Sequence, residues 1–442
     1  MASTNNEPSY NLKAVVQETG LKPDTLRAWE RRYGFPQPER TAGGHRLYSQ
    51  QDINILKWLV ARQKEGLSIS RAVELWRQLE AEGQLPIGQI SFPGSFTATA
   101  IAAPTSGQTL EQLRDDWVDA CMEFDEQTAE RILTQAFALY SSEVTCTQLL
   151  MPALAKIGEG WYRGDFTVQQ EHFASALATR RLEALLAATP IPTRPERILV
   201  GCPPQEEHTI GALLLSLFLR RQGWDVVYLG ANVPIAQMEV TIASVKPQLV
   251  ILSAHRLPTA ATLQEMAQFL QDKQIALAFG GTIFDNLPNL QKRIPGHFLG
   301  ANLNEATHLI EHLITAKPPV PVVEPASEIY QQALTHYSQR QPAVEASVWE
   351  SLTGAGISEH HLSEAGYNLS RNIIAALTLG NVEFLESDIM WVANLLVNYQ
   401  LPTALLCTYL EVYYTAVDTQ LDERTAPVKT WLAQVIDNCE HI

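Results

Sequence analysis

Cysteine is scarce in this chain, and its scarcity excludes two kinds of cross-linked fold. The 442 residues contain five cysteines, and no two of them form a CxxC pair. Without paired spacing, the sequence predicts neither a disulfide framework nor a cysteine-rich zinc site. The five are Cys121, Cys146, Cys202, Cys407 and Cys439.

Long apolar runs are also missing, and this bears on where the chain works. No run reaches the roughly 18 apolar residues that can span a bilayer. The N-terminal stretch MASTNNEPSYNLK lacks the basic-then-apolar form of a secretory signal. We therefore expect a cytoplasmic protein with no membrane partner.

Basic residues are outnumbered, because 32 Lys and Arg face 48 Asp and Glu for a net charge of −16. Residues 1–80 depart from this trend: they hold twelve basic and nine acidic residues, a net of +3, which leaves −19 for the remainder. An acidic body with one mildly basic end favours an anionic partner that is contacted only by that end.

Composition and periodicity divide the chain into six segments. Residues 82–108 are poor in charge and rich in small residues, Pro and Gly, as a flexible linker is. Residues 191–316 alternate short apolar runs with helical stretches, which predicts a Rossmann-like parallel sheet with helices on both faces. The predicted fold class is therefore multidomain α and α/β. The other segments are 1–81 (helical with one interruption), 109–190 (four helices), 317–327 (a proline-rich linker) and 328–442 (a helical bundle).

The first 81 residues have the pattern of helix starts and turns that is typical of a winged helix-turn-helix. A helix over residues 12–19 is followed by Gly20, and a second helix begins near Pro23. In ERTAGGHRLYS, the pair Gly43-Gly44 permits a tight hairpin, which predicts the wing. The alternative is a helical hairpin with a solvated basic face.

Two motifs, TLRAWERRYG and HRLYS, precede a helix that begins with Asp52, and together they closely resemble the MerR family of winged helix-turn-helix regulators. The resemblance covers residues 10–80. It implies a dimer that binds a palindrome-like operator in double-stranded DNA, with salt-dependent affinity. The DNA-facing set that it implies is Arg27, Trp29, Arg31, Arg32, Arg40, His45, Arg46 and Tyr48.

The stretch EEHTIG follows the first predicted strand of the α/β segment. In open parallel sheets, ligands bind beyond the carboxyl ends of the strands. His208 there can ligate a metal while Glu206 holds its other ring nitrogen, and Gly211 leaves room for a bulky group. The alternative is a polar loop with an incidental histidine. Ser253 and Gly280-Gly281 end two further strands, so all these features can face one cleft.

This set of residues resembles the cobalamin-binding α/β domain. The resemblance implies that His208 is the lower axial cobalt ligand, with Glu206 at the family's acidic position. It also implies that the nucleotide tail of the cofactor inserts near Ser253 and the paired glycines. The serine motif departs slightly, because Ser253-Ala254-His255 stands where the family often has Ser-x-Leu or Ser-x-Thr.

The helical segment upstream carries a second group of unusual residues. In GEGWYRGDFTVQQEH, the glycines at 158, 160 and 164 are expected to break the helix around Trp161. A new helix is predicted after Thr167, with a capping box to Gln170. Val168, Glu171 and His172 then share one helix face. A solvated polar stripe is the alternative interpretation of that face.

Trp161, nine intervening residues and Glu171-His172 resemble the signature of CarH-type photoreceptors, MerR-like repressors that sense light with adenosylcobalamin. The resemblance covers residues 10–315. It implies that 109–190 is a four-helix cap, and that Trp161, Val168, Glu171 and His172 pack around the adenosyl group. The family often places an upper axial histidine after the tryptophan, whereas this chain has Tyr162. This departure puts a bis-histidine product of illumination in doubt.

Residues 328–442 exceed the CarH pattern. A bundle used for oligomerisation or packing is one interpretation, and a second sensory site is the other. Proteins that couple a cobalamin domain to a bilin-binding helical domain suggest a tetrapyrrole such as biliverdin for such a site. The candidate pocket residues are His360, His361, Trp391, Tyr399, Cys407, Tyr413 and Tyr414.

The expected function is a transcriptional regulator, not an enzyme. Adenosylcobalamin is its expected chromophore, and light is expected to change its oligomeric state, a homodimer or homotetramer, and its affinity for the operator. A light-independent sensor of cobalamin level is the alternative. A mutase or methyltransferase is disfavoured because the sequence shows no eight-fold βα pattern.

Overall fold

The computed structural model describes residues 10–19, 21–36, 38–40, 46–64, 67–81, 108–353, 359–399 and 401–438. These residues separate into two compact units. The first contains residues up to 161 together with 166–190, and the second contains 162–165 together with the residues from 191 onward. Within the described ranges, no helix is long and apolar enough to cross a membrane.

The first unit begins with four helices and a small antiparallel sheet. Strands β1 (Tyr10–Asn11), β2 (Glu39–Arg40) and β3 (Arg46–Tyr48) lie in the order β1-β3-β2. The helices are α1 (Leu12–Thr19), α2 (Pro23–Tyr33), α3 (Gln50–Lys64) and α4 (Ile69–Ala81). The predicted starts of the first two helices are confirmed. The strands that flank the predicted wing pair as expected, whereas Gly43 and Gly44 lie outside the described residues.

Helix α2 shows how local sequence sets both of its ends. Pro23 occupies the first turn, where a backbone N–H would have no acceptor within the helix, so proline's lack of one costs no hydrogen bond. Gly34 ends the helix with a left-handed φ of 71°, and its N–H donates to the carbonyl of Glu30. Leu26 and Trp29 face the core that α1, α3 and α4 complete.

The rest of the first unit is helical. It consists of α5 (Leu110–Met122), α6 (Glu126–Leu139), α7 (Ser142–Val144), a π-helical stretch (Thr145–Leu150), α8 (Met151–Arg163) and α9 (Val168–Ala187). The expectation that glycines 158 and 160 break the helix is wrong, because α8 runs through both and stops before Gly164, whose φ is +80°. Gly160 serves packing instead: a Cβ there would lie 2.2 Å from the Phe166 ring.

The second unit contains the predicted parallel sheet. Strands β4 (Arg197–Gly201), β5 (Asp225–Gly230), β6 (Leu249–Ser253), β7 (Leu277–Gly280) and β8 (His297–Phe298) are all parallel, in the order β5-β4-β6-β7-β8. Chain order therefore reverses between β4 and β6, which is where such sheets open a crevice. The connecting helices are α10 (Ile210–Arg221), α11 (Met238–Val245), α12 (Leu257–Asp272), α13 (Thr282–Asn286) and α14 (Leu303–Ala316), with a 3₁₀ turn at Pro288–Arg293.

Five further helices complete the second unit. They are α15 (Glu328–Leu352), α16 (Glu359–Leu379), α17 (Glu386–Asn398), α18 (Ala404–Gln420) and α19 (Ala426–Asn438), with 3₁₀ turns at Val382–Leu385 and Glu423–Thr425. One hydrophobic cluster runs from the sheet and α12 into these helices, for example from Leu263 to Ile373 and Leu410. Cys121, Cys146 and Cys202 are free and buried, whereas Cys407 is disulfide-bonded, which the cysteine spacing did not predict.

Candidate functional site

The loop after β4 holds His208 by one ring nitrogen. Its Nδ1 lies 2.6 Å from Oε1 of Glu206, and the His208 backbone N–H donates to the same oxygen at 3.0 Å. A carboxylate only accepts hydrogen bonds, so Nδ1 carries the imidazole proton in this arrangement. The lone pair of the neutral ring therefore resides on Nε2, for which the described residues provide no hydrogen-bond donor. The His208 side chain is 61% exposed.

Glu206 is fully buried, and its two carboxylate oxygens are saturated with donors. Oε2 accepts the backbone N–H of His255 at 2.7 Å and the hydroxyl of Thr259 at 2.6 Å. Burial alone would raise the pKa of this carboxyl, but the hydrogen bonds from His208, Thr259 and His255 outweigh it and hold the pKa at about 2. Glu206 is therefore an ionised anchor for the His208 ring over the physiological pH range.

A cleft lies beside this anchor, at the crevice between β4 and β6. Gly211, in the first turn of α10, faces it: a Cβ there would lie 3.9 Å from Oγ of Ser253 and 4.0 Å from Nε2 of His255. Ser253 and Gly280 are register partners at the ends of β6 and β7. A Cβ on Gly280 would meet no atom within 4 Å, so that side of the cleft is open.

Gly281 is required for a different reason. Its φ of +119° is rarely adopted by residues with a side chain, and a Cβ there would lie 1.9 Å from the carbonyl oxygen of Ala254. Glycine at this position lets β7 and β6 approach closely where the chain enters α13. The paired glycines thus differ, because Gly280 leaves space and Gly281 permits a backbone contact.

His255, where the chain departs from the family's serine motif, contacts several residues of the cleft. Its Nε2 lies 3.1 Å from Oγ of Ser253, and its Nδ1 lies 3.1 Å from Oγ1 of Thr282. Its ring is tilted against that of His208, with centroids 5.6 Å apart. Burial lowers the pKa of His255, which favours the neutral imidazole. Sequence reasoning missed His255 and Thr259, because only the register of β6 beside β4 brings them to Glu206. It also missed Thr282, which the pairing of β7 with β6 brings to His255.

In the first unit, α8 and α9 carry the second predicted group. Trp161 lies near the end of α8 and is partly buried. The predicted capping box between Thr167 and Gln170 opens α9 and is confirmed. On that helix Val168 is 40% exposed, Glu171 accepts a hydrogen bond from Ser175 at 2.6 Å, and His172 is paired with Glu171 through Nδ1 at 2.7 Å.

Tyr162 belongs to the second unit, although its neighbour Trp161 belongs to the first. The Tyr162 hydroxyl donates to the carbonyl of Trp391 at 3.2 Å, and the Asn398 side chain donates to the carbonyl of Tyr162 at 2.9 Å. The rings of Tyr162 and Trp391 are stacked. The residue that stands at the family's upper histidine position is thus engaged with α17.

The predicted DNA-facing set divides into exposed cations and core residues. Arg27, Arg31 and Arg32 are exposed on α2. The inclusion of Trp29 and Tyr48 is wrong, because these rings are only 6% and 1% exposed and belong to the hydrophobic core. Arg46 donates to Glu30 at 2.9 Å, which ties the wing strand to α2. The side chain of Arg40 and all of His45 lie outside the described residues.

The other candidate pocket residues are dispersed among the C-terminal helices. Tyr413 lines a cavity of about 230 Å³ between α15 and α16. Trp391 contacts Tyr162, and Tyr414 packs against the hydrophobic cluster. The side chains of His360 and His361 lie outside the described residues. Among the residues described, no group of three or more His, Cys, Asp or Glu side chains is placed to hold a metal, so a site built on His208 would have one protein ligand.

Known protein families match the chain along most of its length. Residues 10–79 match the family described as MerR HTH family regulatory protein. Residues 113–186 and 196–314 each match a family described as B12 binding domain. These ranges coincide with the helix-turn-helix, with the helices that carry Trp161 and His172, and with the sheet that carries His208.

Two curated relatives are similar to the chain over more than half of its length. The chain is 34% identical over 274 residues to the HTH-type transcriptional repressor CarA of Myxococcus xanthus, which covers 61% of this chain and 84% of that protein. It is 32% identical over 251 residues to CarH of the same organism, which covers 56% and 79%. The monomethylamine corrinoid protein of Methanosarcina barkeri, at 15% identity and a TM-score of 0.39 over 46% of this chain and 100% of that one, is too dissimilar to support an argument. The chain belongs to the family of MerR-type, B12-binding transcriptional regulators that includes CarA and CarH.

Proposed function

We propose that this protein is a DNA-binding transcriptional repressor that holds adenosylcobalamin and responds to light. The observation that carries the proposal is the state of His208. Its Nδ1 is fixed by the buried carboxylate of Glu206, its Nε2 has no hydrogen-bond donor among the described residues, and its side chain is 61% exposed. An imidazole with one nitrogen anchored and the other available is prepared to bind a metal.

The residues beside His208 suit the rest of the cofactor. When bound, cobalamin would bring its own cobalt, and the protein would need to add only one imidazole. We assign that role to His208, with Glu206 fixing the tautomer and raising the basicity of the ring. Gly211, Ser253, Gly280 and Gly281 border the space for the nucleotide tail, and the hydroxyl of Ser253 provides a hydrogen-bonding group there.

The first unit supplies the light-dependent part of the proposal. When bound, adenosylcobalamin supplies a cobalt–carbon bond that green or blue light cleaves. We assign Trp161, Val168, Glu171 and His172 to binding and orienting the adenosyl side of the cofactor. A change in how these four side chains pack is the signal that alters the homo-oligomer, a dimer or tetramer, and its affinity for operator DNA.

The DNA-binding end acts through α2 and the wing. The guanidinium groups of Arg27, Arg31 and Arg32 are exposed and suited to phosphates and base edges. We assign Arg40 and His45, whose side chains lie outside the described residues, to DNA binding as well. Trp29 and Tyr48 position α2 and the wing from within the core, so their contribution to DNA binding is through folding.

Tyr162 distinguishes the light sensor from its alternative. The alternative is a regulator that senses the level or form of cobalamin without light. It is favoured by Tyr162, because a phenol is a poor cobalt ligand and this phenol already donates to Trp391. In the light-sensing proposal, His172 or water would supply the ligand that Tyr162 cannot. For the alternative of a tetrapyrrole in the C-terminal helices, two cavities lined by described residues have volumes of about 230 and 140 Å³. Both are smaller than the roughly 300 Å³ at which ligand pockets usually begin.

The test is the affinity for one DNA fragment in different cofactor and light states. A fragment is selected from a random pool with the dark, adenosylcobalamin-loaded chain. The proposal predicts that green light weakens binding at least tenfold, as a coupling of about 1.4 kcal/mol would. Equal affinities in darkness and light, with a difference between loaded and cofactor-free chain, would support the level sensor. Affinity that depends on neither light nor cofactor contradicts both.

A further inference from the structure

Helices α16, α17 and α18 enclose a cavity far in sequence from the His208 cleft. Its volume is about 140 Å³, and most of its wall is aliphatic, with contributions from Leu369, Ile389, Leu406 and Leu410. A dry apolar cavity of roughly 150 Å³ is large enough to bind benzene. A single six-membered ring is therefore the largest body that this cavity holds without rearrangement.

Polar side chains interrupt the aliphatic wall, and the described residues provide them with no hydrogen bond or ion pair. Asn368, Asn372, Asp388 and Tyr409 line the cavity. The Tyr409 side chain is 6% exposed, and its hydroxyl is buried with no hydrogen bond. The described residues provide no hydrogen bond or ion pair to Asp388 either. Asn372 and Asp388 are half-buried and Asn368 is exposed, so the Tyr409 hydroxyl is the buried group of the four. Because buried polar groups are nearly always paired in folded proteins, this hydroxyl and the unpaired Asp388 carboxylate in the same wall point to a ligand that pairs them.

The charge of the cavity decides which ligand is suitable. Asp388 is its one acidic side chain, and none of the described residues that line it is Lys, Arg or His. Burial raises the pKa of Asp388 to about 6, so the group is largely ionised at neutral pH without a counter-charge. A carboxylate in an apolar wall gains most from a cation at hydrogen-bonding distance.

We propose that this cavity binds a small, largely apolar molecule that carries one protonated amine. The ammonium group lies against the carboxylate of Asp388, and the hydroxyl of Tyr409 and the amides of Asn368 and Asn372 provide its further hydrogen-bonding partners. The apolar body of the ligand packs among the leucine and isoleucine side chains. The site is independent of the cobalamin assignment, since no residue is shared with the His208 cleft.

Helix α17 connects the cavity to the segment that follows Trp161. This helix presents Asp388, Ile389 and Val392 to the cavity, and it presents Trp391 and Asn398 to Tyr162. The segment 162–165 directly follows Trp161, which is assigned to the cofactor. A ligand that orders α17 from the cavity side therefore acts on the same helix that holds this segment.

The experiment uses benzylamine as probe, with benzyl alcohol as its neutral counterpart of nearly the same shape. Each is titrated calorimetrically into the full chain, with and without cobalamin. The proposal predicts that benzylamine binds at least tenfold more tightly than benzyl alcohol in both forms. Because this preference for benzylamine is expected with and without cobalamin, its outcome is separate from that of the proposed function. A ligand of this size that fits its site binds more tightly than a Kd of roughly 10 mM. If benzylamine shows no saturable binding up to that concentration, the proposal is overturned.

Three variants locate the binding. Asp388→Asn keeps the shape of the side chain and removes its charge, so it should weaken benzylamine at least tenfold and leave benzyl alcohol unchanged. Glu386→Gln, an exposed carboxylate on the same helix that does not line the cavity, is the matched control and should behave as the wild type. Leu406→Phe fills the cavity and should abolish binding of both probes. Equal benzylamine affinity in wild type and Asp388→Asn overturns the assignment.

Discussion

The phenol ring of Tyr162 stacks on the indole ring of Trp391, with centroids 5.5 Å apart and planes inclined by 22°. This contact joins two residues that are 229 positions apart in the chain. It holds residues 162–165, which include the last two residues of α8, against α17 within the second unit. The extra C-terminal helices thus engage the residue that immediately follows Trp161.

Removal of the stack should loosen this segment. Trp391→Ala deletes the indole ring, and stacked aromatic pairs contribute about 0.5–1.5 kcal/mol. We expect amide hydrogen exchange in residues 162–165 to become roughly two- to tenfold faster, while adenosylcobalamin still binds. Met390→Ala is the control, because Met390 is 47% exposed and is the neighbouring residue on the same helix. Unchanged exchange in Trp391→Ala would show that the stack does not hold the segment.

Removal of the Glu206 charge should weaken cofactor binding. In Glu206→Gln, the amide nitrogen is a donor and cannot accept the hydrogen bonds from His255 and Thr259. Glutamine has one acceptor oxygen and no charge, so it cannot serve both this pair and His208. The anchor of the His208 ring is then weakened, and changes of this kind typically cost about 10–100-fold in metal affinity. Equilibrium titration with adenosylcobalamin in darkness measures the effect. Glu207→Gln, next to it in the loop and exposed, should bind as the wild type does. Equal affinity in wild type and Glu206→Gln would show that the Glu206 anchor does not contribute to cofactor binding.

Neutralisation of the arginines on α2 should change the salt dependence of DNA binding. Each phosphate contact that is lost lowers the slope of log affinity against log salt concentration by about 0.9. We expect Arg31→Gln and Arg32→Gln each to lower it by about this amount. Arg180→Gln, an exposed arginine of α9 paired with Glu126, is the control and should leave the slope unchanged. A slope that is the same in all variants would place the phosphate contacts elsewhere.

Asp388 should make stability depend on pH in a defined direction. Its pKa in the folded chain is about 6, above the unfolded value of about 3.9. Its favourable contribution is therefore complete below the unfolded value and is lost as the pH rises through 6. Asp388→Asn should raise the Tm at pH 8 and leave it unchanged at about pH 3, below the unfolded pKa. A variant that is less stable than the wild type at pH 8 would mean that the carboxylate has a partner in the protein.

The sequence was sufficient for features that depend on local pattern. The five strands of the parallel sheet are short apolar runs, and the capping box at Thr167 is a spacing of side chains, so both could be predicted. Glu206 and His208 are two residues apart, and their contact is also local. His255 could not be placed in the same way, because its contact with Glu206 depends on the pairing of two strands that are remote in sequence.

Packing decided the features that were predicted wrongly. Trp29 and Tyr48 lie among arginines in the sequence, yet their rings complete the core beneath α2. Gly160 resembles a helix breaker, but it is retained within α8 because Phe166 packs directly against it. The engagement of Tyr162 by α17 has no local signal at all, since Trp391 lies in a segment without a motif.

The most direct test of the central claim is the absorbance spectrum of the purified chain with adenosylcobalamin. The protein is mixed with cofactor in darkness, freed of unbound ligand, recorded, illuminated with green light and recorded again, beside His208→Ala. The account predicts that the wild type retains an alkylcobalamin spectrum, which light converts to a stable protein-bound product, and that His208→Ala retains little cofactor. A wild-type protein that retains no cobalamin, or one whose spectrum and retention are unchanged by His208→Ala, would contradict it.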